Sequence, residues 1–178
     1  TALDPPAGSG PFCTLADPDS DLLLVRTADD RVAALNFGDG HVAWSRRLPG
    51  RIDHLLGVRN GRAIVSGHSL WALDISSGRI TWQRLAREQH QHGHGRGLVA
   101  SGIVYWPTRE RLHLLDLDSG QPLRQPVRLD IRGCRGGNLL LSPRGLVICG
   151  ENQVTVLGLH GGLLPNHQFD NPTSPPRR

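Results

Sequence analysis

The 178-residue chain contains no lysine and no methionine, and only 4% of its residues are aromatic. Its twenty basic residues are therefore all arginine, set against sixteen acidic residues, and the formal net charge is +4. The arginines are spread from Arg26 to Arg178 with acidic residues between them. Nucleic-acid surfaces need a basic stripe, often with interleaved aromatic residues. The composition therefore argues against a nucleic-acid partner.

Long apolar runs are also absent, so no segment is long enough to span a bilayer. The first ten residues have neither the basic start nor the apolar centre of a signal peptide. Because methionine is absent and the start is abrupt, we expect the chain to be a piece of a longer one. Cys13, Cys134 and Cys149 are far apart and in no CxxC pattern. An odd count gives no disulfide framework, and a single Cys134–Cys149 bridge or buried free thiols both remain open.

Glycine (22 residues) and proline (13 residues) are plentiful, and the glycines mark an internal repeat. The copies are RVAALNFGDGHVAWSRRL from Arg31, SLWALDISSGRITWQRL from Ser69, RLHLLDLDSGQPLRQPV from Arg111, and the degenerate QVTVLGLHGGLLPNHQF from Gln153. Their aligned glycines, Gly40, Gly78, Gly120 and Gly162, are separated by 38, 42 and 42 residues. A propeller blade of four short strands has a period of roughly 40–45 residues.

Each copy is interpreted as the last hairpin of a blade. Asp74 and Asp116 are suited to cap the turn by accepting hydrogen bonds from backbone N–H groups one or two residues further on. Gly78 and Gly120 would take the positive φ that closes a short hairpin without steric cost.

Trp44 and Trp82 lie four residues past the turn glycine, on the outgoing strand. A large flat ring at this position is expected to fill the wedge between neighbouring blades.

The predicted fold is all-β, a β-propeller of about four four-stranded antiparallel blades. The blades fall at approximately 11–49, 50–86, 95–130 and 136–164, with a His-rich loop at 87–95. Residues 1–10 are predicted to be a flexible segment and 165–178 a Pro-rich tail. The fourth blade is expected to lack its outer strand. Since four blades do not close the usual seven- or eight-fold ring, three completions stay open: the rest of a longer chain, a second copy joined through the open blade edges, or tight closure of four blades.

The most unusual stretch is REQHQHGHGRG, in which His90, His92 and His94 alternate. An extended backbone would point all three imidazoles to one side, and neutral imidazole binds zinc, nickel or copper. Glu88 is the nearest acid, and no cysteine or carboxylate is spaced to complete a closed site. We interpret the stretch as a solvated polar loop, with these histidines as weak metal candidates only.

Other chemistry-bearing residues give no site. His68 and His113 lie on or beside predicted strands and are interpreted as ordinary interior or edge residues. SGHSL has no nucleophile elbow, so no catalytic triad is predicted. The glycine-rich segments have no following helix to cradle a phosphate. Trp106 is expected to pack between blades. No catalytic or cofactor-binding residue is therefore assigned.

The phrase [apolar]-A-L-D-x-x-[ST]-G-x-x-x-W resembles the repeat of the quinoprotein-type, or PQQ-like, β-propeller family. The second copy matches it at Ala72, Leu73, Asp74, Ser77, Gly78 and Trp82. The first copy has Asn36 in place of the Asp, and the third has Arg124 in place of the Trp. The resemblance extends over roughly 11–162 and is specific for the fold.

This resemblance implies one of two functions. Quinoprotein dehydrogenases hold pyrroloquinoline quinone and calcium in an eight-bladed ring beside an adjacent pair of cysteines, which this sequence lacks. The cofactor-free branch, typified by the BamB lipoprotein, contacts partner proteins. The resemblance therefore favours a non-catalytic protein-binding or scaffold module, bacterial and periplasmic or otherwise extracytoplasmic, without a cofactor. The alternative is part of a quinoprotein-type dehydrogenase or other larger enzyme whose catalytic residues lie outside this segment.

Overall fold

The computed structural model describes residues 14–16 and 20–158, which form four antiparallel sheets in chain order. Sheet one comprises β1 (Thr14–Ala16), β2 (Leu22–Ala28), β3 (Arg31–Asn36) and β4 (Val42–Arg47). Sheet two comprises β5 (Ile52–Arg59), β6 (Arg62–Gly67), β7 (Leu70–Asp74) and β8 (Ile80–Arg84). Sheet three comprises β9 (Leu98–Ala100), β10 (Ile103–Pro107), β11 (Arg111–Asp116) and β12 (Val127–Arg128). Sheet four comprises β13 (Asn138–Ser142), β14 (Gly145–Cys149) and β15 (Val154–Gly158).

In every sheet each strand pairs with the next one along the chain, as in a propeller blade. The predicted all-β propeller architecture is therefore confirmed. Two short 3₁₀ turns, Gln89–Gln91 and Asp130–Arg132, are the helical elements of the described part of the chain. Among residues 14–16 and 20–158 there is no helix with the length and apolarity needed to cross a membrane. The predicted N-terminal segment 1–10 and the tail 165–178 lie outside the described residues.

The sheets stack around an axis, with the first strand of each sheet on the inside: β1 contacts β5, and β5 contacts β9. One apolar cluster fills each space between adjacent sheets. The first lies between sheets one and two and includes Leu24 and Trp71. The second includes Ile64 and Trp106, and the third joins Leu114 of sheet three to its neighbour. In sheets two and three, alternate residues of a strand therefore pack against the sheets on either side. Both faces of these two sheets are apolar for this reason.

The turn between the third and fourth strands is held by a carboxylate. Asp74 Oδ1 accepts hydrogen bonds from the backbone N–H of Ser77 at 2.9 Å, and from the hydroxyls of Ser77 and Ser76 at 2.7 Å each. Asp116 makes the same bonds to the N–H and hydroxyl of Ser119, at 2.8 and 2.6 Å. The Asp therefore reaches the N–H three residues on, in addition to the N–H two residues on that was expected, since the backbone of Ser76 also contributes to the low pKa of Asp74. The Ser76 and Ser77 bonds lower the pKa of Asp74 to about 2.

The tryptophan after the turn docks on the turn of the next blade. Trp44 Nε1 donates to the Ile75 carbonyl at 2.7 Å, and a Cβ built on Gly78 would be 2.4 Å from the Trp44 ring. Trp82 Nε1 donates to the Leu117 carbonyl at 2.9 Å, and a Cβ on Gly120 would be 2.6 Å from the Trp82 ring. These rings lie over the turn at the rim of the interface and are only half-buried.

The third blade departs from this pattern at its outer strand. Pro122 and Pro126 lie in the segment that would pair with β11, and proline has no N–H to donate to the ladder. The outer strand is accordingly reduced to Val127–Arg128, and Arg124 is exposed. The predicted loss of the outer strand in the fourth blade concerns residues beyond 158, which are outside the described part.

Candidate binding face

The two ends of the propeller along its axis differ in construction. The end that we call the connection end holds the links between blades, at 48–51, 85–97 and 129–137, and the turns between second and third strands, at 28–31, 67–70, 107–111 and 149–153. Four cavities, with volumes of about 370 to 640 Å³, all open here. In the part of the chain that the structure describes, the opposite end consists of short hairpin turns. Concave surface and irregular backbone thus coincide at the connection end, where binding sites are expected.

Glycines allow the connections to press directly on neighbouring backbone. A Cβ on Gly93 would lie 2.4 Å from the carbonyl oxygen of Gly67, and one on Gly136 would lie 2.2 Å from that of Thr108. The N–H of Gly136 donates to the Arg109 carbonyl at 2.9 Å. These contacts leave no room for a side chain, so the connections are fixed against the blades.

The backbone of the His-rich loop is not extended, because Gln89–Gln91 form a 3₁₀ turn. The expectation that three imidazoles share one side is therefore wrong. His90 Nδ1 lies 3.1 Å from the Glu88 carboxylate. His94 Nδ1 is buried without a hydrogen-bond partner and borders the cavity between blades three and four.

His92 stacks on His68, with the ring centroids 4.2 Å apart and the planes 10° from parallel. Burial and the neighbouring His68 lower the pKa of His92. Two stacked rings present their faces to each other and cannot share a metal ion in that arrangement. Within the described ranges no group of three His, Cys, Asp or Glu side chains is placed to hold a metal ion.

A cluster near the axis, absent from the sequence predictions, is the main charged feature of this end. We call Arg26, His54 and Arg96 the basic cluster. Arg26 Nη1 donates to the Ile52 carbonyl at 2.9 Å, and Arg96 Nη2 donates to the Leu55 carbonyl at 3.4 Å. One guanidinium from blade one and one from the link into blade three thus flank the inner strand β5 that bears His54.

Neither guanidinium of the basic cluster lies within 4.0 Å of a carboxylate among the described residues. Burial lowers the pKa of His54; Asp53 opposes this, and Arg96 and Arg26 add to it. Two cations therefore surround a half-buried imidazole that they help to keep neutral.

A cavity of about 370 Å³ lies beside this cluster. Its lining includes Arg26, Arg51 and His54, with the backbone of Gly67 and Gly93. The one carboxylate in the lining, Asp53, is bonded to Arg51 Nε at 2.9 Å. The cavity therefore has an excess of positive charge and is suited to an anionic group.

The cavity between blades three and four, of about 640 Å³, has mixed charge. Both signs are represented in its lining: Arg109, Arg135, Glu110, Asp130 and Glu151. It also contains Cys134, whose Sγ is 3.6 Å from the Leu129 carbonyl and whose thiol pKa is raised by burial. Cys134 is buried and Cys149 exposed, and both are free thiols; Cys13 lies outside the described residues.

Trp106 packs between blades two and three, as predicted, and His113 lies beside it. They are cross-strand partners with ring centroids 5.5 Å apart, and Trp106 is 2% exposed. Burial lowers the pKa of His113 to about 4, with Arg84 and Arg111 contributing. An imidazole in this environment is a neutral packing residue at neutral pH.

Four meander blades stacked about an axis, with tryptophans docked on successive turns, define a PQQ-like propeller. The sequence pattern of the family described as outer membrane protein assembly factor BamB matches residues 2–164, and the chain belongs to that family. The predicted family is therefore confirmed. No curated protein sequence matches the chain.

Solved structures share the fold. BamB from Moraxella catarrhalis is 20% identical, with a TM-score of 0.62, over 76% of this chain and 42% of that one. The computationally designed Ika4 protein is 12% identical, with a TM-score of 0.64, over 89% of this chain and 99% of that one. A europium-containing methanol dehydrogenase is 18% identical, with a TM-score of 0.51, over 59% of this chain and 23% of that one. The chain thus spans less than half the length of the BamB chain.

Proposed function

We propose that the chain is a non-catalytic protein-binding module that presents its connection end to an acidic segment of a partner protein. The observation that supports this is the basic cluster: Arg26 lines an open cavity beside His54, and Arg96 lies on the other side of the same strand. Among the described residues neither guanidinium is within 4.0 Å of a carboxylate, and the carboxylate in the cavity lining, Asp53, is bonded to Arg51. Hydrogen bonds between a guanidinium and a carboxylate are about twice as strong as neutral ones. A partner's Asp or Glu would supply the missing acceptor.

The rigid frame around the cluster supports the same proposal. Gly67 and Gly93 form part of the cavity wall by direct backbone contact, so the site is formed before a partner arrives. A preformed site loses little conformational entropy on binding.

The family also supports an extracytoplasmic location, since its description names an outer membrane assembly factor. We propose the same setting for this chain, with a protein partner or further blades of a longer chain as its neighbours. Expression with an export signal, followed by fractionation and comparison of folded yields with and without export, tests the location. A chain that gives folded protein only when it is kept in the cytoplasm would contradict this location.

The binding proposal is tested with a short glutamate-rich peptide and the intact chain, at low and high salt. We expect binding that weakens steeply with salt, and an upward movement of the His54 pKa in NMR titrations as the peptide carboxylates approach. Arg26→Gln and Arg96→Gln should each weaken binding about tenfold, the factor that corresponds to about 1.4 kcal/mol.

Arg144→Gln is the matched control, because Arg144 is exposed at the opposite end of the stack. It removes the same charge and should leave peptide affinity unchanged. Equal losses in all three variants would show that the peptide responds to net charge alone, and the basic cluster would then not be the site.

The second candidate function is part of a quinoprotein-type dehydrogenase, favoured by the likeness to the europium-containing methanol dehydrogenase. The assay is reconstitution with pyrroloquinoline quinone and calcium, followed by dye-coupled alcohol oxidation. Turnover that depends on both additions would replace the binding proposal with an enzymatic one.

A further inference from the structure

The first and the last of the four sheets each carry an apolar row on the side that faces away from the other sheets. On sheet four the row runs through directly paired residues of three strands: Leu140, Val147 and Val156. Leu140 is 62% exposed and Val156 is 57% exposed. The residues that alternate with them, such as Leu139 and Leu157, belong to the cluster shared with sheet three.

Sheet one has a matching row across four strands. Its members are paired in register and lie opposite the face that packs on sheet two: Ala16, Leu23, Leu35 and Val42. Leu23 and Leu35 are half-buried, Ala16 is exposed, and Val42 is 39% exposed. None of the four belongs to an apolar cluster of the described residues.

These rows occupy the repeat positions that form the interfaces between blades. Ala72 and Leu114 lie six residues before the turn glycine and pack on the following sheet; Val156 lies six residues before Gly162. Leu73 lies five residues before its turn glycine and packs on the preceding sheet.

Leu35 is likewise five residues before Gly40. The chain thus has the outgoing half of a blade interface on sheet four and the incoming half on sheet one. Exposed apolar patches of this kind mark association sites, and the same pairing of faces is made three times within the chain.

We propose that the outgoing face of sheet four packs on the incoming face of sheet one of a second copy, so that two chains form one closed ring of eight sheets. Two equal contacts related by a two-fold axis close such an assembly. Eight sheets lie within the range of four to eight blades that propellers have, and this chain covers 42% of the BamB chain. The pairing joins sheet faces and leaves the connection end free, so it is independent of the acidic partner proposed above.

The mass of the intact chain in solution is the first test. We expect about twice 19.4 kDa at high concentration, falling towards 19.4 kDa on dilution. Leu140→Glu and Leu35→Glu should each give monomers at the concentrations where the native chain is dimeric, because each variant buries a charge in both contacts of the ring. Ile131→Glu is the control: Ile131 is 69% exposed at the connection end, away from both faces.

Mixing the two variants makes the test directional. A pair with one copy of each variant has one native contact and one doubly altered contact. The mixture should therefore associate more strongly than either variant alone. Equal association of the mixture and the separate variants would overturn the face-to-face pairing.

Cys149 gives a readout that needs no variant. It is exposed, and it lies on the outgoing face opposite Val154 in the pairing of β14 with β15. We expect slow maleimide labelling of Cys149, located by peptide mass mapping, in concentrated protein and fast labelling after dilution. A monomer in which Cys149 stays protected would show that the chain's own segments cover the face. A monomer with reactive Cys149 at every concentration, or open-ended larger assemblies, would equally overturn the proposal.

Discussion

The docking of a tryptophan on the next blade's turn predicts that alanine at Gly120 is far more costly than alanine at Gly40. Both glycines have a positive φ, 69° and 72°, and both occupy the same position in the repeat. A Cβ at Gly40 would meet nothing within 4 Å, whereas one at Gly120 would be 2.6 Å from the Trp82 ring. The two substitutions therefore share the backbone cost and differ in the contact.

The magnitudes follow from these contacts. An alanine in the left-handed region costs about 1 kcal/mol, and this is the expected loss at Gly40. At Gly120 the ring must also move away. That movement breaks the 2.9 Å bond from Trp82 Nε1 to the Leu117 carbonyl, worth about 1 kcal/mol, and costs about another 1 kcal/mol in disturbed packing. Gly120→Ala should therefore lower the free energy of unfolding by about 3 kcal/mol.

Urea unfolding at one fixed protein concentration measures these losses. A double-mutant cycle isolates the contact, since in a Trp82→Ala background the added methyl group meets no ring. There Gly120→Ala should cost only about 1 kcal/mol, which gives a coupling of about 2 kcal/mol between the two positions. Equal losses at Gly40 and Gly120, or a coupling near zero, would refute the reasoning.

Two further predictions concern ionisable groups. The pKa of His113 is about 4 in the folded chain, against 6.5 for a free histidine, so the unfolded chain binds the extra proton between these values. His113 therefore leaves the free energy of unfolding unchanged above pH 6.5 and lowers it by up to about 3 kcal/mol as the pH falls to 4. His113→Gln should flatten that part of the pH–stability curve. An unchanged curve would contradict the burial of the imidazole. Asp74→Ala removes the acceptor for Ser77 and should cost about 1 kcal/mol at pH 7, while Asp74→Asn, which keeps one oxygen, should cost less; the order is read from urea midpoints, and the reverse order would exclude the turn bond as the cause.

Much of the fold was predictable because the repeat is locally encoded. The turn glycine, the preceding strand and the aspartate lie within a few residues of each other, and each acts through its own backbone. The short outer strand of blade three was not predicted, although Pro122 and Pro126 explain it. The aspartate's bond extends one residue further than predicted, to the N–H of Ser77, because the turn between Asp74 and Gly78 is wider than the simplest aspartate turn.

The candidate site was much less predictable. The three alternating histidines attracted attention because they are adjacent in sequence, yet the 3₁₀ turn at Gln89–Gln91 separates them. The basic cluster could not be predicted because its members are 70 residues apart along the chain, from Arg26 to Arg96. In a chain with twenty basic residues, no local signal distinguishes these two arginines from the others.

The sequence by itself determined the blade: a period of about forty residues, a hairpin closed by glycine, and alternating strands with two apolar faces. These properties depend on backbone conformation and side-chain direction over short distances. Only the tertiary structure decided that Trp82 lies on Gly120 and that Arg26 and Arg96 flank β5. It also decided that the rows through Leu35 and Val156 lie on the outward faces of sheets one and four. Such relations arise when one blade is placed against the next, and the radial packing of whole sheets sets them.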